Sequence, residues 1–148
     1  AREIYLLTGE TITAHDERSR LAPPRYTADI WALDFRERTA LYERIDRRAA
    51  RMFENGLVGE VRALLESGVP ADGTAMQAIG YKETAAHIAG RCSLAEAVDT
   101  VQRKSRQYAK RQLTWLRRNE RVRWIRWGTA PDLSAARQIS TDFVGKTP

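Results

Sequence analysis

Apolar residues recur every three or four positions along much of this chain, a spacing that places them on one face of a helix. Residues 36–56 show the pattern most clearly, with Leu41, Ile45, Ala49 and Met52 on a common face. The Asn-Gly pair that closes this stretch predicts where the helix stops. The pattern therefore predicts a long amphipathic helix with one buried face.

Five further helices are predicted from the same spacing and from residues that favour helix ends. The longest starts at a capping box formed by Ser93 and Glu96 and continues past Trp115, because no Gly or Pro follows before residue 128. The other four cover residues 1–8, 58–67, 81–89 and 131–143, and Gly9, Gly68 and Gly90 mark three of their ends.

Two stretches, residues 26–35 and 121–127, favour β-strands because apolar and aromatic residues dominate them. Residues 11–27 lack periodicity and are expected to form a loop or an exposed linker, and residues 69–80 a loop or a broken helix. Two separate strands cannot make a stable sheet on their own. They therefore either pair with each other or belong to a sheet whose other strands are missing from this sequence.

Positive charge is concentrated in one segment of the chain. The net charge is +6, yet residues 102–127 hold ten Lys or Arg and a single acid, Glu120. That segment contributes +9, so the remaining 122 residues carry −3. A local basic surface indicates a polyanionic partner, and nucleic acid is the commonest extended anion.

The basic residues of this segment fall on one side of the predicted helix. At 100° per residue, Arg103, Arg106, Lys110, Arg117 and Arg121 align in a stripe about 60° wide. A solvated face explains most charge runs, but such faces mix signs, and like charges at i,i+3 and i,i+4 destabilise a helix. A solvated face and an anion-binding face are the two interpretations, and the single sign favours the second.

The apolar residues of the same helix take the opposite side. They are Leu94, Val98, Val101, Tyr108, Ala109, Leu113, Trp115 and Leu116. We expect this side to cover a core, with both aromatic rings buried rather than exposed as platforms for stacked bases.

A second candidate for RNA contact surrounds Gly80. The stretch MQAIGYK places Gln77, Tyr81 and Lys82 beside it. Gln and Lys can hydrogen-bond bases and phosphates, Tyr can stack, and Gly permits positive φ or close backbone approach. A turn that starts a helix explains the same residues, so both interpretations stay open.

Four arginines, Arg44, Arg47, Arg48 and Arg51, lie along the predicted helix 36–56. A buried arginine among them could clamp a phosphate with two hydrogen bonds. The alternative is a solvated surface on which the acids of the same helix are their partners.

Several common functions are not indicated. No apolar run approaches the roughly 20 residues that span a bilayer, and the first residues do not resemble a signal peptide. Cys92 is the only cysteine, which suits a reducing cytoplasm and a structural role. His15 and His87 are the only histidines, and neither a zinc site nor a Ser-His-Asp triad is indicated. Both common glycine-rich phosphate-binding motifs are missing.

These motifs, in this order, resemble the C-terminal half of the tRNA dimethylallyltransferases, the tRNA isopentenyltransferase family. AREIYLLTGETIT resembles a family helix with its trailing Thr-Gly, and LYERIDRRAARMFENGLVGEVRALLESG resembles a family helix pair. AMQAIGYKE and RQYAKRQLTWLRR resemble the two most recognisable C-terminal signatures. The match extends from Ala1 to about Trp127.

The resemblance implies transfer of a dimethylallyl group from dimethylallyl diphosphate to N6 of the adenine 3′ of the tRNA anticodon, assisted by Mg²⁺. It implies an α/β fold with a nucleotide-binding, P-loop-type core, a cytoplasmic location and a monomer when intact. The implied contacts with the tRNA anticodon stem-loop are Gln77, Ala78, Ile79, Gly80, Tyr81, Lys82, Lys110, Arg111, Gln112, Leu113, Thr114, Trp115, Leu116 and Arg117. Arg48 is implied to reach the donor diphosphate.

The resemblance also implies what this sequence lacks. The family's phosphate-binding loop, its catalytic Asp and its Mg²⁺ ligands have no counterpart here, so we expect no catalytic residue in this chain. Together with a start inside a helix and no initiator Met, this predicts an inactive fragment that binds RNA weakly. We expect three parts: residues 1–35 with a helix end, loop and strand, a helical part 36–121 for tRNA and donor, and residues 122–148 with a strand and helix.

Two other functions stay open. The chain could be a non-catalytic RNA- or DNA-binding helical module, which would bind alone with a steep salt dependence. It could also be a structural or interaction domain, which would bind RNA no better than a charge-matched control.

Overall fold

A helical region connects two strands of one short sheet. The computed structural model describes residues 2–21, 23, 26 and 28–144. Within these ranges there are seven α-helices, one 3₁₀-helix and two strands. In chain order they are α1 (Arg2–Thr8), α2 (Ile12–Leu21), β1 (Ile30–Phe35), α3 (Arg38–Glu54), α4 (Leu57–Glu66), the 3₁₀-helix (Thr74–Gln77), α5 (Tyr81–Ile88), α6 (Leu94–Leu116), β2 (Val122–Trp127) and α7 (Leu133–Val144). The chain is thus mainly helical with two strands, as predicted.

The two strands pair with each other, which was one of the two predicted outcomes. β1 and β2 are parallel, in a register that extends from Ile30 opposite Val122 to Phe35 opposite Trp127. Parallel neighbours need a long crossover connection, and here helices α3 to α6 supply it. The rings of Phe35 and Trp127 meet edge to face at the last pair, with centroids 5.7 Å apart. β1 begins later than predicted, and Tyr26 before it is exposed.

The main core lies inside the helical crossover. Side chains from α4, the 3₁₀-helix and α5 form its centre: Leu57, Val61, Met76 and Ala85. Partly buried residues of α3, α4 and α5, and Val69 after α4, pack around them: Met52, Phe53, Leu65, Val69, Tyr81 and Ile88. Helix α6 buries Ala97 and Val101, each 1% exposed. The apolar periodicity of residues 36–116 therefore reports a helical core, as expected.

The predicted ends of the long helices are confirmed. The Ser93 hydroxyl accepts the Glu96 N–H at 3.2 Å, and the Glu96 carboxylate accepts the Ser93 N–H at 2.7 Å. This capping box starts α6. Helix α3 stops at Glu54, and Gly56 then takes a φ of +101°.

The prediction of a loop over residues 11–27 is wrong, because Ile12–Leu21 form helix α2. Polar contacts stabilise this helix: the Thr11 hydroxyl accepts the Ala14 N–H at 3.2 Å, and Arg18 pairs with Glu10. None of the residues in α2 is buried, so it has no buried apolar face for a hydrophobic pattern to reveal. Residues 22, 24, 25 and 27 of the predicted loop lie outside the described residues.

Candidate functional site

A cleft bounded by α3, the 3₁₀-helix and α6 brings the two predicted RNA-binding motifs together. We call it the central cleft; its volume is about 700 Å³. It is lined by Leu41, Ile45, Arg48, Ala49, Met52, Gln77, Ala78, Ile79, Val101, Ser105, Tyr108, Ala109 and Gln112. The start of the first motif (residues 77–82) thus shares a cavity with Gln112 of the second motif (residues 110–117). Arg48 of α3 lines the same cavity.

The first motif forms a tight turn at the start of α5. Gly80 is buried and has a φ of +106°. Its N–H donates to Oε2 of Glu83 at 2.8 Å, and its carbonyl accepts the N–H of Thr84 at 3.0 Å. A Cβ at this position would lie 3.3 Å from Cε of Met52 and 3.6 Å from Cδ2 of Leu57. The backbone conformation therefore favours glycine here, and any larger residue would also have to displace the end of the Met52 side chain by a few tenths of an ångström.

Glu83 connects this turn to α6. It is 6% exposed, and its Oε1 accepts a hydrogen bond from Nζ of Lys104 at 2.7 Å. Burial alone would raise the pKa of Glu83. The hydrogen bonds from Lys104 and from the Gly80 N–H outweigh burial, so the pKa lies below its ordinary value of 4.5. The buried carboxylate is therefore ionised at neutral pH.

Sequence reasoning assigned no role to Glu83, and it counted Lys104 only among the basic residues of the segment 102–127. The local signal was an acid three residues after a helix-capping glycine, the N3 position of a capping box. No local signal pointed to the pairing of Lys104 with Glu83, since the two residues lie on different helices.

The other side chains of the first motif divide between the core and the surface. The Tyr81 hydroxyl donates to Glu60 of α4, and its ring packs against the core. This hydrogen bond is the main cause that raises the pKa of Tyr81. Lys82 donates through Nζ to Oε1 of Gln77 at 3.2 Å, and Gln77 donates through Nε2 to the Asp72 carbonyl at 3.2 Å. Gln77 and Lys82 are both exposed.

The second motif is distributed around the end of α6. Four of its residues line an exposed cleft of about 460 Å³ together with Gln107 and Arg118: Lys110, Arg111, Thr114 and Trp115. Leu113 and Leu116 are half-buried and line a neighbouring cleft with Leu33 of β1. Arg111, Gln112 and Trp115 line this cleft as well. Arg117 pairs with Asp34 of β1 at 3.3 Å. The polar residues of the motif are therefore displayed on more than one side of the helix.

The predicted burial of two aromatic residues on α6 is wrong. Trp115 is 68% exposed and Tyr108 is 49% exposed. The prediction assumed that the apolar side of the helix is covered along its whole length. The buried residues of α6, Ala97 and Val101, lie only in the N-terminal part of the helix. Tyr108 instead lines the central cleft, with the Arg111 guanidinium 5.9 Å from its ring centroid.

The expectation of one continuous cationic stripe on α6 also needs correction. Two basic residues of α6, and Arg117 directly after it, have carboxylate partners on other elements, at 2.7, 2.6 and 3.3 Å: Lys104 with Glu83, Arg106 with Asp46, and Arg117 with Asp34. For Arg103, Lys110, Arg118 and Arg121, no acid of the described residues forms an ion pair. The sequence of α6 cannot reveal partners that other elements provide.

A second cleft lies beside the central cleft on α3. We call it the arginine cleft; its volume is about 340 Å³, and its lining is Arg44, Arg47, Arg48, Arg51, Met52 and Asn55. Arg48 and Met52 line both clefts. Within the described ranges none of the four arginines has an ion-pair partner, and the nearby Asp46 pairs with Arg106 instead. The arrangement concentrates uncompensated positive charge at the edge of the central cleft.

In the part of the chain that the structure describes, no helix has both the length and the apolar character that a membrane span requires. The same part holds no cluster of three His, Cys, Asp or Glu side chains that could ligate a metal ion.

Comparison with known proteins points to one family. The family model described as IPP transferase matches residues 1–119. The tRNA dimethylallyltransferase of Geobacter sulfurreducens is 45% identical over 127 residues, which cover 86% of this chain and 40% of the relative. The tRNA dimethylallyltransferase of Acetivibrio thermocellus is 44% identical over 125 residues, which cover 84% of this chain and 40% of the relative.

Solved structures agree with the sequence relatives. The tRNA delta(2)-isopentenylpyrophosphate transferase of Staphylococcus epidermidis matches with a TM-score of 0.74 and 34% identity, over 99% of this chain and 47% of that protein. The full-length tRNA isopentenylpyrophosphate transferase of Bacillus halodurans matches with a TM-score of 0.74 and 33% identity, over 98% of this chain and 51% of that protein. The chain thus spans about half the length of these structures and 40% of the curated relatives named above.

Proposed function

Since the chain belongs to the IPP transferase family, we propose that it forms part of a tRNA dimethylallyltransferase and supplies tRNA-binding residues and part of the prenyl-donor site. The relatives that carry this name are matched over 40% of their length. The complete reaction is therefore assigned to a longer protein, and this chain alone is expected to be inactive.

The proposed reaction is a substitution at the donor carbon. N6 of the adenine 3′ of the anticodon forms a bond to C1 of the dimethylallyl group, while the bond from C1 to the diphosphate oxygen breaks. The amine gives up a proton, and the diphosphate leaves with the bonding electron pair. Cationic groups near the diphosphate would stabilise the developing charge, and the adenine has to leave its stack to reach the donor.

The observation that carries the proposal is the composition of the central cleft. It joins Gln77, Ala78 and Ile79 of the first motif, Gln112 of the second motif, and Arg48. Gln side chains offer both donors and acceptors for base edges, and Arg can hold a phosphate with two hydrogen bonds. A base and a diphosphate donor could therefore meet in one cavity, with Arg48 on the donor side.

The arginine cleft supports the assignment of Arg48. Arg48 lies where this cleft meets the central cleft, and three further arginines extend the positive charge away from the reacting position. A doubly charged or triply charged leaving group is better matched by such a cluster than by one isolated cation.

The exposed residues of the second motif supply the proposed grip on the anticodon stem-loop. Lys110 and Arg111 have no acidic partner among the described residues and can contact phosphates, as can Lys82 of the first motif. The exposed ring of Trp115 offers a platform for a base, and Thr114 lies beside it in the same cleft.

The remaining predicted tRNA-binding residues are proposed to act through their placement. Gly80 and Tyr81 fix the turn of the first motif, while Leu113, Leu116 and Arg117 hold the second motif against β1. Their side chains bring the polar residues of both motifs to the surface and the cleft.

The phosphate-binding loop, the catalytic Asp and the Mg²⁺ ligands are proposed to lie in the part of the longer protein that this chain does not contain. The described residues hold no cluster of three possible metal ligands, and no step is assigned to Mg²⁺ here. We also propose that further strands complete a P-loop-type sheet beside β1 and β2, and that the intact protein is a cytoplasmic monomer.

The proposal is tested by a transfer assay with a fusion. The part of the Geobacter sulfurreducens relative that this chain does not match is joined to this chain, and radiolabelled dimethylallyl incorporation into tRNA is measured. We expect activity from the fusion, none from either part alone, and none when guanine replaces the target adenine. Activity of the isolated chain near that of the fusion would refute its assigned role, as would an inactive, folded fusion.

The same fusion tests the role of Arg48. Arg48→Ala should raise the KM for dimethylallyl diphosphate, whereas Arg47→Ala, which removes an exposed arginine that lines only the arginine cleft, should raise it much less. Equal effects of the two variants would mean that the donor does not sit at the junction of the clefts.

One observation favours a second candidate, a non-catalytic RNA-binding module. The unpaired cations of α6 are on the surface of this chain itself and need no other part of a protein to bind RNA. An inactive fusion together with tight, salt-sensitive RNA binding by the chain alone would favour this function.

A further inference from the structure

The contacts of Glu83 reach both predicted RNA-binding motifs. Its Oε2 accepts the N–H of Gly80 at 2.8 Å, and its Oε1 accepts Nζ of Lys104 at 2.7 Å. Gly80 belongs to the first motif, and Lys104 lies less than two helical turns before Lys110, where the second motif begins. One side chain therefore bridges the turn of the first motif and the helix that carries the second.

We propose that Glu83 and Lys104 are positioning residues that hold the two RNA-binding motifs in register, a role that rests on the proposed tRNA-binding function. Neither residue is needed to touch RNA. Their link sets where Gln77 and Lys82 lie relative to Lys110 and Gln112.

Burial makes this link hard to break without moving the turn. Glu83 is 6% exposed, so loss of Lys104 would leave a carboxylate with little access to water. The Gly80 N–H is also committed to Glu83, and the positive φ of this glycine leaves few other conformations that keep the contact. The turn and α6 are therefore expected to move together rather than independently.

The same link removes Lys104 from the set of cations that grip phosphates. It belongs to the basic side of α6 by sequence, but its ammonium group is used by Glu83. Lys110, by contrast, has no acidic partner among the described residues. Lys104 is thus assigned to positioning and Lys110 to phosphate contact, and the salt dependence of RNA binding distinguishes the two roles.

The sign of one mutational effect tests the proposal. Glu83→Gln removes a negative charge next to a basic surface, so electrostatics alone would strengthen binding of an anticodon stem-loop RNA. A positioning role predicts the opposite, because Gly80 and Lys104 donate to different oxygens of the carboxylate, and Gln has an NH₂ group, which cannot accept, in place of one of them. We expect affinity to fall by roughly tenfold, the loss of one charge-assisted hydrogen bond.

Asp46→Asn is the matched control. Asp46 also pairs with a basic residue of α6, Arg106, at 2.6 Å, but it contacts neither motif. This variant removes the same charge and is expected to leave RNA affinity equal or higher. Thermal unfolding of each variant, followed by circular dichroism, sets a temperature at which all are folded, and anisotropy of labelled RNA is measured there.

Lys104→Met supplies the second test and decides the question if Glu83→Gln does not fold. A positioning role predicts weaker binding with an unchanged slope of log K against log salt. Lys110→Met should instead lower that slope by about 0.7 to 0.9, the value for one lost phosphate contact. A lower slope for Lys104→Met, or unchanged affinity for the folded variants of Glu83 and Lys104, would overturn the proposal.

The outcomes also separate this inference from the function on which it rests. If the unsubstituted chain binds the anticodon stem-loop no better than a hairpin with a scrambled loop, the proposed tRNA-binding function fails, and the inference with it. If it prefers the anticodon stem-loop but Glu83→Gln and Asp46→Asn behave alike, the function stands and the inference alone is wrong.

Discussion

Arg117, the last residue of the second motif, places its Nη2 3.3 Å from Oδ2 of Asp34, a buried residue of β1. Oδ1 of the same carboxylate accepts the Phe35 N–H at 2.9 Å. The Arg117 guanidinium also lies 5.9 Å from the ring centroid of Trp124 on β2. The end of α6 is thus fixed to both strands of the sheet.

Removal of this carboxylate should destabilise the chain. Asp34→Ala is expected to lower the free energy of unfolding by about 1–2 kcal/mol, since two hydrogen bonds to a charged group are lost and one partner is half exposed. Urea unfolding followed by circular dichroism measures the change. Asp72→Ala, in an exposed loop, is the control and should change stability little. Equal effects of the two substitutions would show that Asp34 does not fix α6 to the sheet.

Stability should depend on pH through Glu83. Its pKa lies below 4.5 in the folded chain, so as pH falls below the ordinary value the unfolded chain takes up this proton first. The contribution of Glu83 is present in full above that value and is lost as pH falls through the lowered pKa. The free energy of unfolding, measured by urea titration from neutral pH downward, should therefore drop in this acidic window.

Glu83→Gln should flatten this pH dependence. The pKa of Glu96 is also lowered, mainly by the hydrogen bond from the Ser93 N–H and to a smaller extent by the one from the Ser93 hydroxyl. The chains with Glu83 and with Gln at this position are therefore compared in a Glu96→Gln background. A pH profile that is unchanged by Glu83→Gln would contradict the assignment.

The sequence predicted the elements whose signals are local. The capping box of Ser93 and Glu96, the stop after Glu54 and the helical spacing of the core residues all depend on near neighbours, and each is confirmed. Helix α2 was missed for the same reason, because its stabilising contacts are polar and it buries no residue. A hydrophobic pattern reports burial, not helicity as such.

The candidate site was predictable in its residues but not in its arrangement. The motifs named Gln77, Gln112 and Arg48, yet only the fold shows that they share one cleft. The acids that pair with α6 lie on other elements, such as Glu83, so a charge count along α6 overestimates the cations that are free for RNA. The exposure of Trp115 likewise depends on which helices reach that part of α6.

Glycine at position 80 should be required for two separable reasons. Gly80→Ala is expected to cost about 1–3 kcal/mol from its backbone conformation, with a further cost because the new Cβ would lie 3.3 Å from Met52. Gly68→Ala is the control, since Gly68 has a φ of +91° but open space around it. The larger loss of unfolding free energy for Gly80→Ala measures the steric part. An equal loss would mean that Met52 moves aside freely.

The exposed ring of Trp115 should matter for RNA and not for stability. Because it is 68% exposed, Trp115→Ala is expected to change the free energy of unfolding by no more than about 0.5 kcal/mol. If a base stacks on this ring, binding of the anticodon stem-loop should weaken by about 1–3 kcal/mol, and Trp115→Phe should retain much of the affinity. Leu133→Ala, which removes an equally exposed apolar side chain on α7, should alter neither quantity. An unchanged Kd for Trp115→Ala would exclude stacking, and a large loss of stability would show that the ring is covered by a part of the protein outside the described residues.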